Sequence, residues 1–178
     1  RLLDVINKNI REEDVLHACE IAFQGGWNNV KLYFMMGLPT ETYEDLDGIS
    51  DICKKVAYCW RENTPNRARG VRITASCFVP KPQTPFQWDA QDTLETFREK
   101  QAHLKVVMKT KNVTYNWHDA ETSVLEGVIA RGDRRQGKAI LLAWQRGCKM
   151  DGWTDYFSME KWLQAFEDCG VDPKWYAQ

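Results

Sequence analysis

The chain has 178 residues, 43% of them hydrophobic and 28% charged, with 24 Lys and Arg against 25 Asp and Glu for a formal net charge of −1. That is enough length to bury a core without disulfides, and the composition excludes a disordered or fibrous chain. The neutral balance leaves no global basic footprint for nucleic acid, and the longest apolar runs, such as Ala139 to Trp144, fall far short of the ~20 residues a membrane span needs.

Leu2, Leu3, Val5 and Ile6 predict a short opening helix. A second helix starts near Glu12, where Glu12, Glu13 and Asp14 meet the positive end of the helix dipole. Val15, Cys19 and Ala22 form its apolar stripe, widened by Leu16 and Phe23, and Gly25-Gly26 ends it. Val30 to Met36 is apolar but for Lys31 and reads as a strand buried on both faces, as in parallel sheets. Gly37 to Thr42 is then a strand-to-helix turn with Thr40 or Thr42 as the cap. Leu46, Ile49, Ile52, Cys53, Val56 and Trp60 carry the next helix to about residue 61.

A basic loop with Arg61, Arg67, Arg69 and Arg72 leads into a second strand, in which Val71, Ile73, Ala75, Cys77 and Val79 alternate with polar residues. A strand–helix–strand crossover of this length predicts parallel pairing and a right-handed unit. Pro80, Pro82 and Pro85 break the pattern, and six of the eight tryptophans lie beyond them. Leu94, Phe97, Gln101, Leu104 and Met108 mark a helix, and Val113 to Trp117 a candidate strand. Val124 to Ile129 mark a further helix, closed by Gly132. Asp133 with Gln136 resembles a capping box for the helix carrying Ile140, Leu141 and Trp144. Ser158 caps a last helix bearing Trp162, Phe166 and Cys169. The expected class is α/β, followed by a mainly helical tail.

Ligands of parallel sheets gather at the carboxyl ends of the strands. The turn Gly37 to Thr42 is therefore one candidate site, weighed against an ordinary βα turn. Cys77 to Pro82 is another, with Phe78 available to stack on an aromatic ring and prolines that equally serve only to end the strand. Arg131, Arg134, Arg135 and Lys138 have the chemistry to grip a phosphate or carboxylate, although such runs are mostly solvated helix faces. The six cysteines show no metal-ligand spacing, and Cys19 and Cys53 fall on apolar stripes, which points to a reducing cytoplasm. His17, His103 and His118 belong to no visible nucleophile–base or metal set.

Arg1-Leu2-Leu3-Asp4-Val5-Ile6-Asn7-Lys8, the helix after it, and Tyr33-Phe34-Met35-Met36-Gly37-Leu38-Pro39-Thr40-Glu41-Thr42 resemble the C-terminal half of a radical S-adenosylmethionine core of the methylthiotransferase-like kind. In that family the fifth strand is followed by Gly-x-Pro-x-Glu-Thr and the sixth ends in a proline-bearing stretch, which Phe78 to Pro85 resembles. Gly132-Asp133-Arg134-Arg135 and Asp151-Gly152-Trp153-Thr154-Asp155 resemble a subgroup often fused to a cobalamin-binding domain. The resemblance implies residues 1–86 as the C-terminal half of a partial (β/α)6 barrel with parallel strands, and 87–178 as a mainly helical extension. It implies a four-iron four-sulfur cluster and S-adenosylmethionine in the longer protein, with cobalamin in another domain. Met36, Gly37, Leu38, Phe78 and Val79 would form the adenine-side wall, and Glu41 would steady the turn. The family's Cys-x3-Cys-x2-Cys triplet is missing, so no residue here is a metal ligand and none is assigned as catalytic. The chain reads as an inactive piece whose partners are the upstream domains.

Two other readings stand beside this one. The piece is a non-catalytic interaction module whose Trp-rich tail docks on a partner, or it belongs to an RNA-modifying enzyme related to the methylthiotransferases. An unpaired edge on the Val30–Met36 strand is expected to be covered by the chain's own tail or paired with another copy, the latter as self-association.

Overall fold

The computed structural model describes residues 1–65 and 70–177. Arg67 and Arg69 of the basic loop lie outside the described residues. The elements run α1 (Leu2–Val5), α2 (Glu12–Gln24), β1 (Val30–Met36), α3 (Tyr43–Asn63), β2 (Val71–Cys77), α4 (Leu94–Val107), β3 (Val113–Trp117), α5 (Ala120–Ala130), α6 (Gln136–Gln145), α7 (Met159–Asp168) and α8 (Pro173–Ala177). The protein is α/β, with a three-stranded parallel sheet in the order β1-β2-β3. Val71, Ile73 and Ala75 of β2 stand beside Val113, Tyr115 and Trp117 of β3, while Arg72 and Thr74 stand beside Thr114 and Asn116. At the far end of the sheet Ser76 Oγ donates to the Phe34 carbonyl of β1 at 3.2 Å, so the exits of β1 and β2 share one pole.

Two compact units are present: residues 1–76 with 98–117, and residues 77–97 with 118–178. They interleave along the chain, where the sequence expectation drew a single boundary after residue 86. The reason is β3, which comes from the presumed tail yet pairs with β2.

In the first unit Met36, Leu46, Cys53, Val56, Ala57, Trp60, Val71, Ile73, Ala75 and Leu104 are buried. Trp60 Nε1 donates to the Asn28 carbonyl at 3.0 Å, giving the indole a polar partner where it leaves water. The expectation that β1 is covered on both faces is overturned. Its exposed and shielded residues alternate, and Lys31, Tyr33 and Met35 are exposed, Tyr33 at 73%. An apolar run cannot distinguish two covered faces from one when the outer face also carries large side chains.

The second unit has its own core of Leu125, Val128, Ala139, Ala143, Trp162, Ala165, Phe166 and Val171. Ser158 caps α7, its Oγ accepting from the Lys161 amide, but α7 is not the last helix, since α8 follows. The Asp133–Gln136 capping box does not form. Asp133 instead takes the backbone and guanidinium N–H groups of Arg135, while Gln136 turns inward to donate to the Val128 carbonyl at 2.7 Å. An arginine fork offers the carboxylate more donors than a single helix amide does.

Candidate functional site

The exit of β1 is a tight turn built by its sequence. The Glu41 amide donates to the Leu38 carbonyl at 3.0 Å. Pro39 takes the first central position and Thr40 the second with φ +66°, the pattern of a type II turn. Gly37 has φ +83°, a conformation glycine adopts without the Cβ clash of other residues. Thr40 is β-branched and therefore strained in the same region, which requires the surroundings to hold it there. Arg1 does so by donating to the Thr40 carbonyl at 2.8 Å while its guanidinium grips Asp45.

Glu41 is the centre of the turn. Its side chain is 1% exposed, and Oε1 accepts from the Gly37 amide at 2.8 Å and pairs with Lys100 Nζ of α4 at 2.9 Å. The carboxylate thus faces the fold rather than a ligand. Of the two cap candidates the structure uses Thr42, at the start of α3, whose amide and hydroxyl both donate to Asp45 Oδ2 at 2.8 Å.

The Arg1 guanidinium, followed by the Thr42 amide, holds the Asp45 carboxyl down at about 2 from the usual 3.8, against the opposing effect of burial. A depressed carboxylate pKa contributes stability that is complete above the unfolded value and lost as pH falls through the folded one. Urea midpoints measured between pH 5 and pH 2 should therefore drop more steeply below pH 4 for the wild type than for Asp45→Asn. Parallel curves would show that the pair adds nothing.

The second strand's exit is closed in a different way. Phe78 is buried, its ring 5.8 Å from that of Phe86 in an edge-to-face contact, and Val79 is partly buried. The Phe78 carbonyl accepts from Gln91 Nε2 at 3.2 Å, and that amide also donates to Ser123 O at 2.9 Å. Gln91 carried no motif and was missed by sequence reasoning. So was Lys100, one more charge on a mostly polar helix.

The arginine cluster is divided. Arg135 is committed to Asp133 and to Tyr176 Oη, and Arg131 donates to the Asp89 carbonyl, whereas Arg134 and Lys138 are exposed. His103 Nε2 lies 2.7 Å from Asp47 Oδ1 and packs edge-on against Tyr43.

Two concave sites stand out. A groove of about 720 Å³ between α2 and α3 is lined by Leu16, His17, Tyr58 and Cys59 among charged neighbours, and a cleft of about 240 Å³ is lined by Arg135, Asp172, Trp175 and Tyr176. Neither includes Met36, Gly37, Leu38, Phe78 or Val79. Met36, Leu38 and Phe78 are buried, and the Gly37 amide is taken by Glu41. A four-iron cluster does not fit the described residues. No three His, Cys, Asp or Glu side chains among them converge on a metal position, and burial pushes Cys53 up to about 12 and raises Cys19, Cys59 and Cys148. No helix among the described residues is long and apolar enough to cross a membrane.

No protein-family model and no solved structure matches the chain. It is similar to an uncharacterized protein of Methanocaldococcus jannaschii, with 29% identity over 171 residues, or 96% of this chain. The chain spans 36% of that relative's length.

Proposed function

We propose that the first unit is the distal βα part of a parallel barrel of radical S-adenosylmethionine type. In this reading the longer protein is an enzyme that takes its cluster ligands from outside this chain. The order of the sheet carries the reading. Crossovers β1-α3-β2 and β2-α4-β3 in sequential order, given the right hand such units almost always take, put their helices on one face, where Ser50 of α3 donates to the Val107 carbonyl of α4; a doubly wound sheet reverses order and is covered on both. The other face bears Arg72 beside Thr114 and Thr74 beside Asn116, and the exposed side of β1 adds Tyr33. Parallel sheets are ordinarily buried on both faces. A second face with polar groups offers a ligand-holding lumen its orienting contacts, and the sequential winding is the one a barrel uses.

The family's bound groups supply one-electron cleavage of S-adenosylmethionine to a 5′-deoxyadenosyl radical. This chain's contribution is positional: Glu41 and Lys100 hold the Gly37 turn at the lumen's rim, and the β2–β3 polar pairs line its wall. Under anaerobic reconstitution with ferrous iron, sulfide and dithionite, the chain alone should stay colourless and form no 5′-deoxyadenosine. The full-length archaeal relative should take up four iron atoms and form it. Stoichiometric cluster uptake by this chain, or a reconstituted relative without S-adenosylmethionine cleavage, would overturn the proposal.

A docking role for the second unit is favoured by its tryptophans. Trp162 is buried in the core, but Trp88, Trp144, Trp153 and Trp175 are exposed, Trp88 at 85%.

A further inference from the structure

The inner side of α6 is complete: Gln136, Ala139 and Ala143 are buried in the second unit. Its outer side is apolar as well. Ile140, Leu141 and Trp144 are 42%, 55% and 53% exposed, although a solvated face of a surface helix is normally polar. Helical spacing sets Gly137 with Leu141, and Ile140 with Trp144, as two adjacent rows four residues apart. Rows of that kind interlock with the rows of a second helix. Gly137 opens a notch in one row, because a Cβ there would meet nothing within 4 Å.

The surrounding charge is mainly positive: of the six Lys and Arg from Arg131 to Lys149, Arg135 is paired with Asp133 and Arg146 with Asp168 of α7, which leaves Arg134, Lys138 and Lys149 beside the stripe. Arg134 and Lys138 run along one flank of the stripe, and Lys149 Nζ sits 5.0 Å from the Trp144 ring at its end. A second copy of α6 would bring like charges together. An acidic helix would meet complementary charge.

We propose that the outer face of α6 docks an amphipathic, acidic α-helix of a partner protein. Its apolar residues at i, i+3, i+4 and i+7 lie against Ile140, Leu141 and Trp144, and one enters the notch at Gly137. Its carboxylates face Arg134, Lys138 and Lys149. The site is independent of the reading given to the first unit.

The test uses a fluorescently labelled helical peptide of about 18 residues with Leu at those spacings and Glu along one flank. Its controls are the Lys-for-Glu version and anionic phosphatidylserine vesicles. Anisotropy should show saturable, salt-sensitive binding of the acidic peptide, at least tenfold tighter than the Lys version. Gly137→Glu fills open space on a helix and should preserve the melting temperature while weakening binding at least tenfold, and Leu141→Ser should do the same. Equal affinity for both peptides, no binding of the acidic one, binding to vesicles alone, or full binding by folded Gly137→Glu would each overturn the proposal.

Discussion

Glu41→Ala should lower the stability of the protein by about 4 kcal/mol, among the largest effects available to a single substitution outside the apolar core. The carboxylate is almost fully shielded, and its Oε1 serves two donors, the Gly37 amide and Lys100 Nζ. Truncation removes the acceptor from the amide of a residue held at φ +83° and takes the carboxylate from an ammonium that is itself largely out of water. Glu41→Gln keeps an oxygen for Gly37 and should cost only about half as much. The double change Glu41→Met with Lys100→Met removes both charges together. It should recover much of the loss, because a shielded ion pair repays little more than its own desolvation. Urea denaturation of the wild type, Glu41→Met, Lys100→Met and the double variant gives the coupling directly. If Lys100→Met leaves the effect of Glu41→Met unchanged, the pair does not hold the turn.

Gln91→Leu should cost about 3 kcal/mol, through the second unit. The Gln91 carboxamide donates to the carbonyls of Phe78 and Ser123, and its own backbone amide donates to the Ala177 carbonyl at 2.8 Å. Leucine keeps the volume but takes the donor from the buried Phe78 carbonyl, at about 1–3 kcal/mol before relaxation, while the Ser123 carbonyl loses its second donor and keeps its place in the α5 helix. Gly127 shows how close the fit is, since a Cβ on it would lie 2.2 Å from Gln91 Oε1. Gly127→Ala should therefore destabilise in the wild type and much less in Gln91→Leu, where the shorter side chain can move aside. Strictly additive urea midpoints for the two changes would contradict this packing.

The local elements were largely legible in the sequence. A repeat of three to four residues in α2 and α3, the alternation in β2 and the glycine after α2 each reflect one element's demands on its own residues, so a single chain displays them. The parallel relation of β1 and β2 followed from the length of the crossover. The outer face of β1 was misread because burial belongs to what lies opposite a strand, and Tyr33 and Met35 are apolar enough to suit either answer. The capping box at Asp133 failed for a similar reason: the spacing is local, but the carboxylate was claimed by the Arg135 guanidinium, whose fork is also held by Tyr176 some forty residues on.

The candidate site was legible in outline only. The turn and its glycine could be read along the chain, and the steadying role of Glu41 was implied by the turn's resemblance to a family motif. Lys100 and Gln91 could not, because each gains its role from partners distant in sequence, and nothing in the residues around them marks them out.

By itself the sequence determined where helices, strands and turns form, since those depend on residues within a turn or two of one another. It determined too that cysteine spacing supplies no cluster-binding triplet. Only the tertiary structure decided that β3 returns to the sheet, that one sheet face stays polar, which carboxylate holds which cation, and that α6 is apolar on both sides. Those are relations between segments tens of residues apart, and shape and burial, rather than periodicity, select among the pairings the chain allows.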